Sequence, residues 1–316
     1  MGTWNCLITL LLALPSVLSL TSIHSDSLLY PYGEAHNDMM TEIEDDGGTG
    51  MMHINYAFTF FGEIYRSLCV NTNGVISFLL PMEEYTPDMF PIEGLHMICP
   101  FWSDVDIECG GLIFYRQSKD EAILNRINDE INKCFENAQF NAEWCMIITW
   151  DKVSYHGSES NKTNTFQAIL ASDGPRSMVM FIYENMEWSA GTASGGHPLT
   201  GRGGIAAQVG FNAGMECFNV PFSRTEEIIN IKSSSNIGKP GVWVFQVDRF
   251  RVPGGCIHGE HFLHYGQVIW SDETCSTKCS CRHDGTVQYE EKPCDEGLVC
   301  LPFGRHYMCQ INEKDC

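Results

Sequence analysis

Basic residues are scarce in this 316-residue sequence. It contains 19 Lys and Arg against 40 Asp and Glu, which gives a formal net charge of −21 at pH 7. Nucleic-acid phosphates and anionic membrane surfaces attract Lys and Arg, so this balance argues against nucleic acid and anionic lipid as partners. Three roles for the acidic residues stay open, namely solubility by self-repulsion, calcium affinity and attraction to a basic partner.

Long apolar segments are also scarce. After the N-terminal region no run of residues is long or apolar enough to cross a membrane, so we expect no membrane insertion. The run 7–14, closed by Pro15 and followed by small residues, is typical of a secretory signal peptide, although residues 1–20 contain no Lys or Arg. We predict a signal peptide over residues 1–19 and an exported chain. A short N-terminal anchor is the alternative, but a spanning helix needs about 20 apolar residues.

Catalytic motifs are missing as well. Ser194 and His197 lie in the glycine-rich stretch 191–204, which has neither the spacing of a nucleophile elbow nor the Gly-Lys-Ser/Thr ending of a phosphate loop. The 11 histidines include no His-Glu-x-x-His pair for zinc. We therefore expect a protein that is not an enzyme, and an ordered loop over this stretch.

Cysteine, in contrast, is abundant. The chain has 15 cysteines, and removal of Cys6 with the signal peptide leaves an even set, as expected for oxidised pairs in an exported protein. Cys275, Cys279 and Cys281 lie within seven residues, a spacing that a metal or disulfides could use, and export favours disulfides. The predicted disulfide cysteines are Cys69, Cys99, Cys109, Cys134, Cys145, Cys217, Cys256, Cys275, Cys279, Cys281, Cys294, Cys300, Cys309 and Cys316.

The distribution of these cysteines divides the chain. Residues 28–248 contain six of them and residues 256–316 contain eight, with a Pro/Gly stretch between the two regions. The first region is long enough to bury a hydrophobic core. The second is too short for a large core and is expected to depend on its disulfides.

The first region has the pattern of a mainly β fold, a sandwich or barrel with one amphipathic helix. Asn73-Gly74 between apolar alternations predicts a hairpin within 67–78. Apolar residues at helical spacing predict a helix over 119–137, with a capping box from Ser118 to Glu121, that covers a face or edge of the sheet. The other predicted strands span 52–61, 97–101, 112–115, 144–150, 165–171, 178–183, 206–211 and 242–247.

Two polar motifs are candidate sites. Asn161 begins the sequon Asn-Lys-Thr in a polar loop, where an exported chain is expected to carry a glycan. Asp104 and Asp106 lie on the same side of an extended segment, and Asp45 and Asp46 could join them from another loop to bind calcium through oxygen ligands. The alternative is that these four aspartates cap turns and solvate the surface. No other cofactor is expected.

Four motifs follow one another along the first region, namely VNTNGVISF at 70–78, PFWSDV at 100–105, TWDKV at 149–153 and NTFQA at 164–168. Together they resemble a nidogen-type (NIDO) domain, and the continuation 188–204 is similar to the tectorin members of that family. The resemblance implies a β-rich, non-enzymatic domain of an extracellular matrix protein, with a role in cell–matrix adhesion or matrix assembly.

The second region resembles a von Willebrand C-like module through GQVIW at 266–270 and the cysteine spacing over 275–309. Two features depart from the families. The NIDO pattern does not require the six cysteines of the first region, and Tyr289 stands where such modules usually carry a cysteine. Cys316 either replaces the missing cysteine within the fold or, with an orphaned thiol, links to another chain.

We therefore predict a secreted matrix or cell–matrix adhesion protein. Residues 28–248 form a NIDO domain and residues 256–316 a von Willebrand C-like module. The expected partners are extracellular matrix proteins, glycans or the cell surface. The alternative is a soluble secreted binding or defence protein that is not incorporated into a matrix.

Overall fold

The computed structural model describes residues 27–135, 138–258, 261–282, 286–303 and 306–311. The predicted signal peptide and Cys316 lie outside these residues. In chain order, the strands and the α-helix of the first region are β1 (Met39–Met40), β2 (Met52–Phe60), β3 (Glu63–Asn71), β4 (Val75–Ser77), β5 (His96–Trp102), β6 (Val105–Asp106), β7 (Leu112–Ser118), α1 (Glu121–Cys134), β8 (Trp144–Tyr155), β9 (Asn164–Ser172), β10 (Ser177–Asn185), β11 (Gln208–Ala213), β12 (Glu216–Asn219) and β13 (Val242–Gln246).

These strands form two antiparallel sheets. The first sheet has the order β1-β7-β8-β9-β10-β13, with β6 paired to β8 beside the main path, and the second has the order β12-β11-β5-β4-β3-β2. Short 3₁₀ helices occur at Glu34–His36 and Glu226–Ser233. The mainly β fold is confirmed, and each strand predicted from the sequence is present, with shifted ends.

The main core lies between the two sheets, which therefore form a sandwich. Phe101 of β5 contacts Phe166 of β9, and Phe211 of β11 stacks on Phe181 of β10, with ring centroids 5.5 and 5.2 Å apart. These contacts join residues of opposite sheets. They bury large aromatic surfaces at offset or tilted angles, which aromatic rings prefer.

Helix α1 covers the outer face of the first sheet. Its apolar side presents Ile127 and Ile131 to a second core, which also contains Tyr30 of the N-terminal segment. With both faces covered, the strands β8, β9 and β10 are buried almost throughout, which explains their near-continuous apolar sequences. The predicted role of the helix is confirmed.

The predicted cap of α1 is wrong in one detail. Ser118 ends β7, and the N-cap is Asp120, whose Oδ1 accepts a hydrogen bond from the Ile123 amide at 3.1 Å. Ser118 instead accepts a hydrogen bond from the amide of Asp120. The helix begins two residues after the predicted start because β7 extends further than its apolar pattern indicates.

The hairpin predicted at Asn73-Gly74 joins β3 to β4. Gly74 has φ +72°, and a Cβ at this position would lie 2.0 Å from the carbonyl oxygen of Phe101. A larger residue would therefore clash with the neighbouring strand in addition to adopting a strained backbone. The turn is held tightly against β5.

The C-terminal region forms a small module with a hairpin and a separate sheet in the order β18-β17-β16-β20-β19. Disulfides join Cys256 to Cys281, Cys275 to Cys300, and Cys294 to Cys309. The hairpin strands are β14 (Gly255–His258) and β15 (His261–His264), and the sheet strands are β16 (Val268–Trp270), β17 (Thr277–Cys281), β18 (Val287–Glu291), β19 (Leu298–Phe303) and β20 (His306–Ile311).

Three bridges account for six of the predicted disulfide cysteines, and disulfides at the others stay a prediction. Cys145 pairs in register with Ser118 at the end of β7, whereas Cys134 ends α1, so the length of the helix, roughly 20 Å, lies between these two cysteines. Cys99 and Cys217 lie on the two strands that flank β11, so roughly 10 Å separates them, which is more than one bridge between them would span. The described cysteines outside the three bridges are Cys69, Cys99, Cys109, Cys134, Cys145, Cys217 and Cys279.

Cys279 is the one cysteine outside the three bridges among the described residues of the module. It is buried and lies directly opposite Tyr289 in the pairing of β17 with β18. Tyr289 stands where related modules carry a cysteine, so Cys279 is the residue that faces the replaced position in the β17–β18 pairing. The prediction about Cys316 concerns residues outside the described part of the chain.

Candidate functional site

Three loops meet at one end of the sandwich, and Asn73 joins them. Its Nδ2 donates to Asp46 Oδ1 at 2.8 Å and to the carbonyl of Glu83 at 3.4 Å. Its Oδ1 accepts a hydrogen bond from the amide of Val105 at 2.9 Å. A side chain that is 1% exposed thus links the segment before β2, the segment after β4 and the start of β6.

These loops carry only acidic charges at neutral pH. The segments 41–49, 79–95 and 103–111 contain no Lys or Arg. Such a surface creates a negative potential that attracts cations and basic partners. We call this surface the acidic loop end, and its carboxyl residues are Glu42, Glu44, Asp45, Asp46, Glu83, Glu84, Asp88, Glu93, Asp104, Asp106 and Glu108.

A compact cluster lies within the acidic loop end. The Nδ1 atom of His156 is 3.0 Å from Asp45 Oδ2 and 3.8 Å from Asp106 Oδ2. One ligand atom from each of these three residues lies within 4.8 Å of the other two. The cluster therefore has the spacing of a metal site.

The backbone around the cluster fixes its buried carboxylates. Asp104 is 2% exposed, and its Oδ2 accepts a hydrogen bond from the amide of Ala193 at 3.2 Å. Asp106 is 6% exposed, and its Oδ1 accepts hydrogen bonds from the amides of Glu108 and Cys109. The Cys109 thiol donates to Asp106 Oδ2 at 3.0 Å, so a sulfur atom lies at the edge of the cluster.

The pKa values of the ionisable groups in the cluster are raised. Burial raises the pKa of Asp104 to about 6, and burial with the charges of Asp106 and Asp46 raises the pKa of Asp45. Partial burial disfavours the imidazolium of His156, but the neighbouring carboxylates outweigh it and raise the pKa of His156. Burial is the largest cause of both aspartate shifts, and the cluster sets three carboxylates beside one imidazole, so the site favours a proton or another cation.

The structure brings together three of the four aspartates predicted to bind calcium. Asp45, Asp104 and Asp106 surround His156, whereas Asp46 is directed to Asn73. Sequence reasoning missed His156. The signal was indirect, because only the pairing of β6 with β8, in which Val105 faces Tyr155, carries His156 to the aspartates. Calcium binding stays a prediction.

The predicted glycan acceptor lies in the loop between β8 and β9. Asn161 is exposed, and the loop is fixed beside it by the hydrogen bond from the Thr163 amide to Glu187 Oε2 at 2.9 Å. The geometry leaves the amide side chain accessible, and glycosylation stays a prediction.

The glycine-rich stretch connects β10 to β11 as a loop, and its Ser and His have other partners. Ser194 Oγ is 2.8 Å from Thr86 Oγ1, and His197 Nδ1 accepts a hydrogen bond from the Leu199 amide. The loop packs on the cluster, because a side chain on Gly191 would lie 2.3 Å from Asp104 Oδ2. Ser194 thus links this loop to the segment 79–95, whereas His197 bonds within its own loop.

The fold and sequence place the chain in a defined class. A family model for the nidogen-like (NIDO) domain matches residues 66–249, more than half of the chain, so the protein belongs to the nidogen-like domain family. No solved structure matches the chain.

Among the curated relatives described here, the tectorins share more sequence identity with the chain than the nidogen does. The chain is 41% identical to alpha-tectorin of Mus musculus over 290 residues, which are 89% of the chain and 13% of that protein. It is 40% identical to alpha-tectorin of Homo sapiens over 90% of the chain and 14% of that protein. Nidogen of Drosophila melanogaster is 32% identical over 64% of the chain and 15% of its own length. The chain thus spans about one seventh of these relatives.

These comparisons agree with the predicted compartment. Tectorins and nidogens are secreted proteins of the extracellular matrix, and the chain shares this localisation. Among the described residues, no helix combines the length and the apolar character required to cross a bilayer.

Proposed function

We propose that the protein is a non-catalytic component of the extracellular matrix that binds matrix proteins, glycans or the cell surface. The observation that carries this proposal is the 41% identity to alpha-tectorin over 89% of the chain, which extends past the NIDO match into the C-terminal module. We further propose that the sandwich supplies the binding surface and that the module is of the von Willebrand C type.

The acidic loop end is the surface best suited to a macromolecular partner. Beside its carboxylates it exposes Met89 (71%), Leu79 (49%) and Leu80 (47%), so apolar and charged groups alternate there. Apolar contact gives affinity, and charge complementarity steers a basic partner and increases its association rate. The underlying loops are held by Asn73 and by the packed indole of Trp102, whose Nε1 donates to the carbonyl of Glu84 at 2.7 Å.

A bait experiment tests the proposal. The secreted full chain is immobilised, incubated with solubilised extracellular matrix, and the retained components are identified by mass spectrometry. The matched control is the full chain with Glu83→Gln, Glu84→Gln and Asp88→Asn, three exposed acids whose side chains carry charge at the proposed surface.

We expect defined matrix components on the wild-type chain, at least tenfold less of them on the charge-neutralised chain, and a decrease with added salt. Retention that is equal on both chains would place the binding surface elsewhere. Retention of no matrix component by either chain would contradict the matrix role and favour the soluble binding protein.

A further inference from the structure

We propose that Asp45, Asp106 and His156 form a site for a divalent metal ion of the zinc class, with the Cys109 thiol beside it. The site is independent of the proposed matrix role. It uses the three donor atoms that lie within 4.8 Å of one another, an imidazole nitrogen and two carboxylate oxygens.

One oxygen atom of Asp45 has no hydrogen-bond partner among the described residues, although the side chain as a whole is 31% exposed. This atom is Oδ1, which is itself buried from solvent. Leaving a carboxylate oxygen buried and unpaired is costly, whereas Oδ2 of the same group already accepts from His156. A metal ion bound by Asp45 would satisfy the oxygen that the protein leaves unsatisfied.

Charge balance favours the same conclusion. Asp45, Asp104 and Asp106 surround one imidazole, and the loops that carry these aspartates contain no Lys or Arg. A single imidazolium neutralises one of the three carboxylates. With His156 neutral, as a ligand requires, a divalent ion would neutralise two of the three carboxylates.

The donor set distinguishes zinc from calcium. Calcium takes six to eight hard oxygen ligands, whereas zinc binds four ligands drawn from imidazole, thiolate and carboxylate. The three residues whose donor atoms lie within 4.8 Å of one another supply two carboxylates, which are fewer oxygens than calcium takes. The imidazole nitrogen of the cluster and the adjacent Cys109 sulfur are instead the donors that zinc prefers.

The ligands come from three segments of the chain. Asp45 lies between β1 and β2, Asp106 ends β6, and His156 follows β8 directly. The backbone of His156 also binds the glycine-rich loop, because its carbonyl accepts a hydrogen bond from Thr192. A bound ion would therefore fix the segment 41–49 to the sandwich and raise the melting temperature.

Titration of the full chain with zinc chloride alone tests the site. After treatment with a chelator, we expect isothermal titration calorimetry to show one site that weakens at least tenfold in His156→Ala and in Asp106→Asn. Zinc should also raise the melting temperature of the wild type and not of these variants. His156 is 42% exposed, so its replacement leaves the core intact and loss of binding cannot be attributed to unfolding.

His53→Ala is the matched control, because His53 is an exposed histidine of β2 outside the cluster. It should bind zinc as the wild type does. Equal zinc binding by the wild type and His156→Ala, or no zinc binding by the wild type, would overturn the proposal. Calcium chloride that stabilises the wild type as much as zinc, through the same residues, would overturn the assignment to the zinc class.

Discussion

The sandwich and the C-terminal module are stabilised by different means. The sandwich buries Trp144, Trp150 and Trp188 in a continuous core, and the three disulfides of the described residues lie outside it. The module has a buried cluster of Cys256, Leu263, Ile269, Cys279 and Cys281, together with disulfides that link its strands. The difference follows from size, because a short segment cannot bury enough apolar surface to offset its conformational entropy.

Reducing the disulfides should produce the largest difference in stability between the module and the sandwich. We expect dithiothreitol to unfold the module, because disulfides that close loops of 15 and 25 residues each contribute about 3 kcal/mol. The sandwich should stay folded. Hydrogen exchange resolved by mass spectrometry should then show free exchange in β16–β20 and protection in β8–β10. Persistent protection of the reduced module would contradict this account.

Replacing a core tryptophan should instead destabilise the sandwich and leave the module folded. Trp150 is fully buried, stacks on Phe166 at 4.9 Å and donates to the carbonyl of Thr72. Trp150→Ala should lower the free energy of unfolding of the sandwich by about 3–5 kcal/mol. Trp270→Ala in the module is the control. Denaturant unfolding of the sandwich should be unchanged in that variant, and an equal loss in both would refute the separation.

Replacing Asn73 compares the loops of the sandwich with its core strands. Asn73→Ala removes three hydrogen bonds and leaves the buried amide of Val105 without its partner, so we expect a loss of about 1–3 kcal/mol. Faster exchange should appear in the segments 41–49 and 79–95 before it appears in the core strands. Uniform destabilisation with no local change would show that Asn73 does not join the loops.

The smallest effect is expected at Glu187. The hydrogen bond from the Thr163 amide lowers the pKa of the Glu187 carboxyl. The stability that this bond contributes is therefore fully present above the pKa of the unfolded state, about 4.3, and is lost as the pH falls through the lower pKa of the folded state. Glu187→Gln should cost less than about 1 kcal/mol at pH 7. The difference from the wild type should decrease in denaturant titrations towards pH 4, and a difference that grows on acidification would be inconsistent with it.

The sequence predicted those parts of the molecule that follow from local patterns. Strands such as β9 and β10 and the helix α1 have an apolar periodicity that is visible in the residues themselves. The short strands β1, β6 and β12 were missed, because two to four residues carry no period. Their positions depend on pairing with neighbours, which a single sequence does not display.

The candidate site also depends on strand pairing that a single sequence does not display. The aspartates were proposed from their composition and spacing, but His156 reaches them only through the pairing of β6 with β8. The disulfide prediction relied on an even number of cysteines and on export. The structure shows three pairs in the module, and disulfides among the six cysteines of the sandwich stay a prediction, because their distances depend on tertiary structure.

Deposition of the full chain into the matrix of cultured cells tests the central proposal most directly. The fraction retained in the matrix is compared with the fraction in the medium, for the wild type and for the double variant Cys275→Ser with Cys300→Ser, which opens the module. Our account predicts that both chains are retained, because the sandwich binds. Recovery of the wild type only from the medium would contradict a matrix role, and loss of retention in the variant with unchanged sandwich stability would place binding in the module.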